Sequence, residues 1–162
     1  IIIYMACIGV KKPGKLIKGQ VELACTGTNQ CVDLVAAGVH NLGLYACHKV
    51  GDSQGFIWNE KVIRTAASGI KKCIDATGLA PGGKVKLNEC AEGVKGQEWK
   101  LDKDTGHLIN QESNLCLDTL RDPDRHPENV GNGKAEIGVE SCQTNSKFQQ
   151  WAFRSMNAPE KS

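Results

Sequence analysis

The sequence predicts an all-β domain of three equivalent units, each with four short strands, and three recurring spacings carry that expectation. Cys-x-Asp occurs as CVD at Cys31, CID at Cys73 and CLD at Cys116, 42 and 43 residues apart. A second cysteine follows each, at Cys47, Cys90 and Cys142, and a glutamine stands seven positions after every one of these, at Gln54, Gln97 and Gln149. Two positions on comes an aromatic residue (Phe56, Trp99, Trp151), and two further another large apolar one (Trp58, Leu101, Phe153). That alternation is the pattern of a strand with one buried face. A unit of about 40 residues cannot bury its own apolar face, so the three must share one core.

In chain order, residues 1–18 read as an N-terminal extension. It opens on the apolar run IIIYMACIGV, which has no basic flank and is too short to span a bilayer. It resembles a cut edge, so a signal or anchor is expected elsewhere and no membrane insertion by this segment. KKPGKLIKG (11–19) reads as an exposed linker. The units then run from about 19 to 59, 60 to 102 and 103 to 156, leaving 157–162 as a polar tail. Each begins with a strand such as KVIRT (61–65), continues through the Cys-x-Asp strand and one such as KVKLNEC (84–90), and closes on the Gln-x-Trp strand. GLAPGG (78–83) and KDTG (103–106) supply turns, and no stretch keeps helical periodicity over three turns. Phe56, Trp99 and Trp151 are expected in the core, with Trp58.

The 162 residues suit one domain. Twenty basic against eighteen acidic residues give +2, which argues against a nucleic-acid or membrane-surface partner. No phosphate-cradling loop, paired catalytic carboxylates or Ser-His arrangement emerges, so no catalytic residue and no cofactor are assigned. Eight cysteines without a C-x-x-C spacing favour disulfides in an oxidising compartment over zinc. The repeat pairs Cys31 with Cys47, Cys73 with Cys90 and Cys116 with Cys142; such a bridge stabilises a fold by roughly 3 kcal/mol. Cys7 and Cys25 pair with each other or with a partner outside this sequence. His40, His107 and His126 are expected to be solvated. His48, beside Cys47, would suggest a metal only without the disulfide, so no metal site is assigned.

Several stretches resemble a known family. YACHKVGDSQGF (45–56) is similar to its C-H-x-x-G-G-N-Q-x-F, and VIRTAASGIKKCID (62–75) to its E-I-R-T…C-L-D; GHLINQESNLCLD and QQWAFRSM match as well. These residues resemble the ricin-type β-trefoil lectins, and among them the C-terminal lectin domains of polypeptide N-acetylgalactosaminyltransferases, the Golgi enzymes that start mucin-type O-glycans. The likeness covers roughly residues 20 to 156. It implies a β-trefoil that binds GalNAc or galactose-type sugars and directs an attached transferase to glycosylated acceptors. It also implies a Golgi-lumenal or secreted setting, GalNAc-bearing glycopeptides or glycans as partners, and a catalytic domain outside this chain. A protein-interaction trefoil with degenerate pockets and the carbohydrate module of a glycoside hydrolase are the alternatives.

A sugar presents vicinal hydroxyls on one side and C–H groups on the other, so its site needs a carboxylate acceptor and an aromatic face. In the family these come from the Asp of Cys-x-Asp and the residue two before the second cysteine, helped by a His after that cysteine and an Asn before the glutamine. The first unit offers Asp33, Tyr45 and His48, with Ser53 for the Asn and Gln54 behind it. The second keeps Asp75 but has Asn88, Ala91 and Gly96. The third keeps Asp118 with Glu140, Gln143 and Phe148, and enlarges its loop with RDPDRHPENVGNG (121–133). Asp33 is therefore the expected sugar ligand. Asp75, Asn88 and Asp118 are weaker candidates, since the two aspartates can serve simply to fix local structure.

Overall fold

The computed structural model describes residues 20–25, 30–34, 42–47, 52–67, 69–120 and 136–155. Twelve strands lie among them: β1 (Gln20–Cys25), β2 (Gln30–Leu34), β3 (Leu42–Ala46), β4 (Phe56–Trp58), β5 (Ile63–Thr65), β6 (Lys72–Asp75), β7 (Lys86–Glu89), β8 (Trp99–Leu101), β9 (Leu108–Asn110), β10 (Cys116–Leu120), β11 (Glu136–Glu140) and β12 (Trp151–Ser155). The only helical turns among the described residues are short 3-10 segments at Asp52–Gln54 and Lys95–Gln97.

All named pairings are antiparallel. β1 lies against β12 and β4, β4 against β5, and β8 against β9. The amide of Trp99 donates to Lys61 O, joining β8 to the entry of β5, and that of Trp151 donates to Gly106 O, joining β12 to the entry of β9, both at 2.8 Å. The ring β1-β4-β5-β8-β9-β12 thereby closes into a barrel. Three hairpins, β2–β3, β6–β7 and β10–β11, cap it. This is a β-trefoil with three four-stranded units.

The threefold repeat extends into the core. Leu23, Ile63 and Leu108 come from the opening strands, Val32, Ile74 and Leu117 from the middle of Cys-x-Asp, and Leu44, Leu87 and Val139 from three residues before the second cysteine; all are buried. Phe56, Trp99 and Trp151 are buried as expected. Trp99 Nε1 donates to Ile74 O at 3.1 Å and Trp151 Nε1 to Leu117 O at 2.9 Å, so each indole satisfies a buried carbonyl of its own unit. Trp58 is also a core residue and stacks on Phe153 with ring centroids 4.6 Å apart. The hairpins pack closely where Gly138 faces Gly83: a Cβ at Gly138 would lie 2.3 Å from Gly83 O and 2.1 Å from Leu120 Cδ1.

Three disulfides join the predicted pairs: Cys31–Cys47, Cys73–Cys90 and Cys116–Cys142. Cys7, the side chain of Cys25, His40, His48, His126, the insert 121–133 and both chain ends lie outside the described residues. One expectation is corrected. His107 is not solvated but buried at the entry of β9, with Nε2 3.1 Å from Gln143 O, because the third unit's second-cysteine loop folds over it. His107 also lies within 4.8 Å of the sulfurs of Cys116 and Cys142. These sulfurs are bonded to each other, so this cluster offers no thiolates to a metal.

Candidate functional site

The hairpin register places the candidate residues equivalently in all three units. Cys31 faces Tyr45, Cys73 faces Asn88 and Cys116 faces Glu140; two residues along, Asp33 faces Gly43, Asp75 faces Lys86 and Asp118 faces Gly138. Residues two apart on a strand share a face. Each aspartate therefore sits diagonally from the residue in the stacking position, a separation of roughly 7–8 Å between Cα atoms, suited to a sugar ring between them.

Behind each aspartate lies the repeated glutamine. Gln54 Nε2 donates to Asp33 Oδ2 and Ala46 O, both at 2.9 Å. Gln97 Nε2 donates to Asp75 Oδ2 at 3.0 Å and Glu89 O at 2.9 Å, and Gln149 Nε2 to Asp118 Oδ2 at 2.9 Å and Ser141 O at 3.0 Å. In the second and third units the glutamine Oε1 also accepts from the backbone just after the second cysteine, from Ala91 N and Gln143 N. The glutamine is thus a buried clasp tying the Cys-x-Asp strand to the strand beside it. Gln54 is completely buried and supports Asp33 from behind.

The units differ at the carboxylate's other oxygen. Asp33 Oδ1 receives no hydrogen bond from the described residues. Tyr45 is 37% exposed and is the one exposed large hydrophobic residue among them. Gly43, opposite Asp33, adds no side chain to the shared face. Ser53 is half-buried in the turn that carries Gln54.

In the second unit the protein itself occupies the carboxylate. Asp75 Oδ1 accepts Thr77 N at 2.8 Å, and Oδ2 accepts Asn88 Nδ2 at 3.1 Å as well as Gln97. Burial alone would raise this carboxyl, but the bonds from Thr77, Gln97 and Asn88 outweigh it and hold the group below the ordinary value of 3.8. Asn88 therefore takes up one of the carboxylate's acceptor positions. Thr77 also closes the position of the family's Asn: a Cβ on Gly96 would lie 2.0 Å from Thr77 Oγ1.

In the third unit Asp118 is buried most deeply, with Oδ2 engaged by Gln149 and Oδ1 shut off from solvent. Of the predicted residues, the structure brings Asp33, Tyr45, Ser53 and Gln54 to one site. It places Asp75 with Asn88 in a self-satisfied cluster and Asp118 under cover. Gly43, Lys86 and Thr77 were missed by sequence reasoning. The first two could have been found by counting four residues back from each second cysteine.

The profile of the ricin-type β-trefoil lectin domain matches residues 19–151. The chain belongs to the ricin-type β-trefoil lectin domain family. Such a domain binds carbohydrate and is not itself catalytic. Human polypeptide N-acetylgalactosaminyltransferase 14 is 31% identical over 117 residues, covering 68% of this lectin domain's chain. The chain spans only 19% of that relative's length. Three solved structures share the fold. An Abrus precatorius agglutinin superposes with a TM-score of 0.66 at 16% identity, over 85% of this chain and 47% of its own. The designed threefold-symmetric protein ThreeFoil gives 0.63 at 19%, over 84% and 98%. GalNAc-T7, solved with UDP, GalNAc and Mn2+, gives 0.62 at 17%, over 91% and 24%. Among the described residues of this lectin domain, no helix is long and apolar enough to cross a membrane.

Proposed function

We propose that this lectin domain binds GalNAc or galactose-type sugars through its first unit alone, and that it directs an attached mucin-type O-glycosyltransferase to acceptors that already carry GalNAc. The setting for that activity is the lumen of the secretory pathway, in the Golgi. The observation that carries the single-site reading is the contrast in the aspartates: Asp33 keeps an oxygen without a donor among the described residues beside the exposed Tyr45 ring, whereas Asp75 is occupied and Asp118 is covered. The transferase attachment is supported by the N-acetylgalactosaminyltransferase relative.

In this site Asp33 Oδ1 accepts hydrogen bonds from vicinal hydroxyls while Tyr45 covers the C–H face of the ring. Gln54 holds the carboxylate in place by taking its other oxygen. Two or three net hydrogen bonds at about 1 kcal/mol each, with about 1 to 1.5 kcal/mol from stacking, give a sum near 4 kcal/mol and a dissociation constant on the order of millimolar. Useful occupancy then needs several GalNAc groups on one acceptor, or a catalytic domain engaging the same chain.

Asp33→Asn tests the assignment cleanly. The amide oxygen can still accept from Gln54 Nε2, which keeps the clasp, while the amide nitrogen turns a donor toward hydroxyls that need an acceptor. The chemical-shift response to a GalNAc glycopeptide should disappear in Asp33→Asn and persist in Asp75→Asn and Asp118→Asn. A parent-like response in Asp33→Asn with loss in Asp118→Asn would move the site to the third unit. No response in the parent chain would favour the protein-interaction reading.

A further inference from the structure

Arg154 of β12 is the last arginine of the chain, yet it reaches across to the first unit. Its Nη2 lies 2.8 Å from Cys47 Sγ and 3.5 Å from Cys31 Sγ. Among the described residues, no basic side chain hydrogen-bonds to the sulfurs of the other two bridges. The neighbour of Cys116–Cys142 is the His107 imidazole, whereas a guanidinium is charged at every accessible pH. The loop that Cys31–Cys47 closes carries Asp33 and Tyr45, with Tyr45 directly opposite Cys31 in the register.

We propose that Cys31–Cys47, with Arg154, is a redox-modification site: the bridge a dithiol reductant opens first, and whose opening disables the neighbouring sugar site. A thiolate beside a fixed cation is stabilised, and a more stable thiolate leaves a disulfide faster. One thiolate of the dithiol attacks the Sγ of Cys47, the less buried residue of the pair. A mixed disulfide forms to Cys47, and the Cys31–Cys47 bond breaks with its electron pair on Cys31, within reach of the guanidinium. The second thiolate of the reductant then attacks the mixed disulfide and leaves as a cyclic disulfide, releasing Cys47 as a thiolate beside Arg154. Two electrons pass from the dithiol to the protein, and Cys31 takes up a proton from water. With the bridge open, the end of β3 is held to β2 by its backbone ladder alone, and Tyr45 loses the covalent restraint two residues away that fixes it relative to Asp33. The effect on sugar binding rests on the function proposed above; the order of reduction does not.

Solvent exposure alone predicts the opposite order, which makes the test decisive. Cys90 and Cys142 are exposed while Cys47 is half-buried, so access alone would have the second and third bridges reduced before the first. The full chain is treated with limiting dithiothreitol, sampled over time, alkylated and mapped by mass spectrometry. Cys31 and Cys47 should be alkylated about three- to tenfold faster than Cys73, Cys90, Cys116 and Cys142. Alkylation of the first bridge last in the parent chain overturns the proposal without any variant. Arg154→Lys, which keeps the cation, should retain the order, and Arg154→Gln should move the first bridge behind the two exposed ones. An unchanged order in Arg154→Gln removes Arg154 from the account. The response to a GalNAc glycopeptide, followed in the same time course, should fall with Cys31–Cys47 alkylation. If it survives, the gating is wrong; if the oxidised chain shows no response at all, the sugar reading fails while the reduction order still stands or falls by itself.

Discussion

The first and second units share a frame that matches at the level of single hydrogen bonds. Each has a disulfide at the head of its hairpin, an aspartate two residues on, and a buried glutamine clasping that aspartate to the neighbouring strand. Above the frame they part. In the first, neither Gly43 nor the exposed Tyr45 donates to Asp33, which keeps one oxygen without a donor among the described residues; in the second, Asn88 and Thr77 donate into Asp75 and Lys86 stands across from it. The second pocket has kept its carboxylate and gained internal donors. A retained Cys-x-Asp therefore diagnoses the fold in both units, and what differs between them is which groups compete for the carboxylate.

The sharpest way to break this comparison is to remove both aspartates in turn. Asp75→Ala strands the donors of Thr77, Asn88 and Gln97, and should destabilise the fold by about 3 kcal/mol, whereas Asp33→Ala strands, among the described residues, only Gln54 and should cost about 1 kcal/mol. Denaturant unfolding at neutral pH measures both. Equal losses would mean that the second unit's aspartate is no more tied down than the first's.

A smaller effect concerns the ring. Tyr45→Asn gives the first unit the second unit's residue at the same register position. It should weaken GalNAc glycopeptide binding about tenfold, the worth of one stacked ring, and leave stability within about 0.5 kcal/mol because Tyr45 is exposed. The reciprocal Asn88→Tyr should leave the second unit silent, because Thr77 and Lys86 remain. A titration showing two sites in Asn88→Tyr would show that Asn88 was the only obstruction.

How much of this was legible in the sequence follows from the kind of contact involved. Fixed spacings along the chain disclosed the three bridges and the core positions of Phe56, Trp99 and Trp151. Contacts set across a hairpin were not disclosed that way. Lys86 and Gly43 matter because of the aspartate opposite, and Asn88 looked like an absent ring when it is a donor filling the gap. Thr77 acts through its backbone amide and through its approach to Gly96, neither of which residue type announces. His107 was misread because its burial depends on a loop some 36 residues away, and Arg154 drew no reading because its contact with Cys47 spans 107 residues. Local periodicity is written along the chain, whereas closure of a pocket depends on side chains that tertiary packing brings together.

The smallest expected effect is the dependence of stability on acid. Bonds made only in the folded state hold Asp75 below its ordinary value of 3.8 despite its burial, so its ionised form favours the fold. Its contribution is complete above that value and is lost as the pH falls through the folded one, where the unfolded chain has already taken up a proton. Glu89, paired with Lys72, Glu98, bonded to Lys95, and Asp102, accepting the amide of Asp104, are lowered in the same direction. All four belong to the second unit, so the acid dependence contributed by these carboxylates is concentrated there. Asp75→Asn has no carboxyl to protonate at that position, and its stability should fall less steeply than the parent's on going from about pH 5 to about pH 2.5. The slope should not vanish, because the other three still titrate. Parallel curves for parent and variant would mean that the bonds to Asp75 do not depend on its charge, and the self-filled pocket would then owe its closure to shape alone.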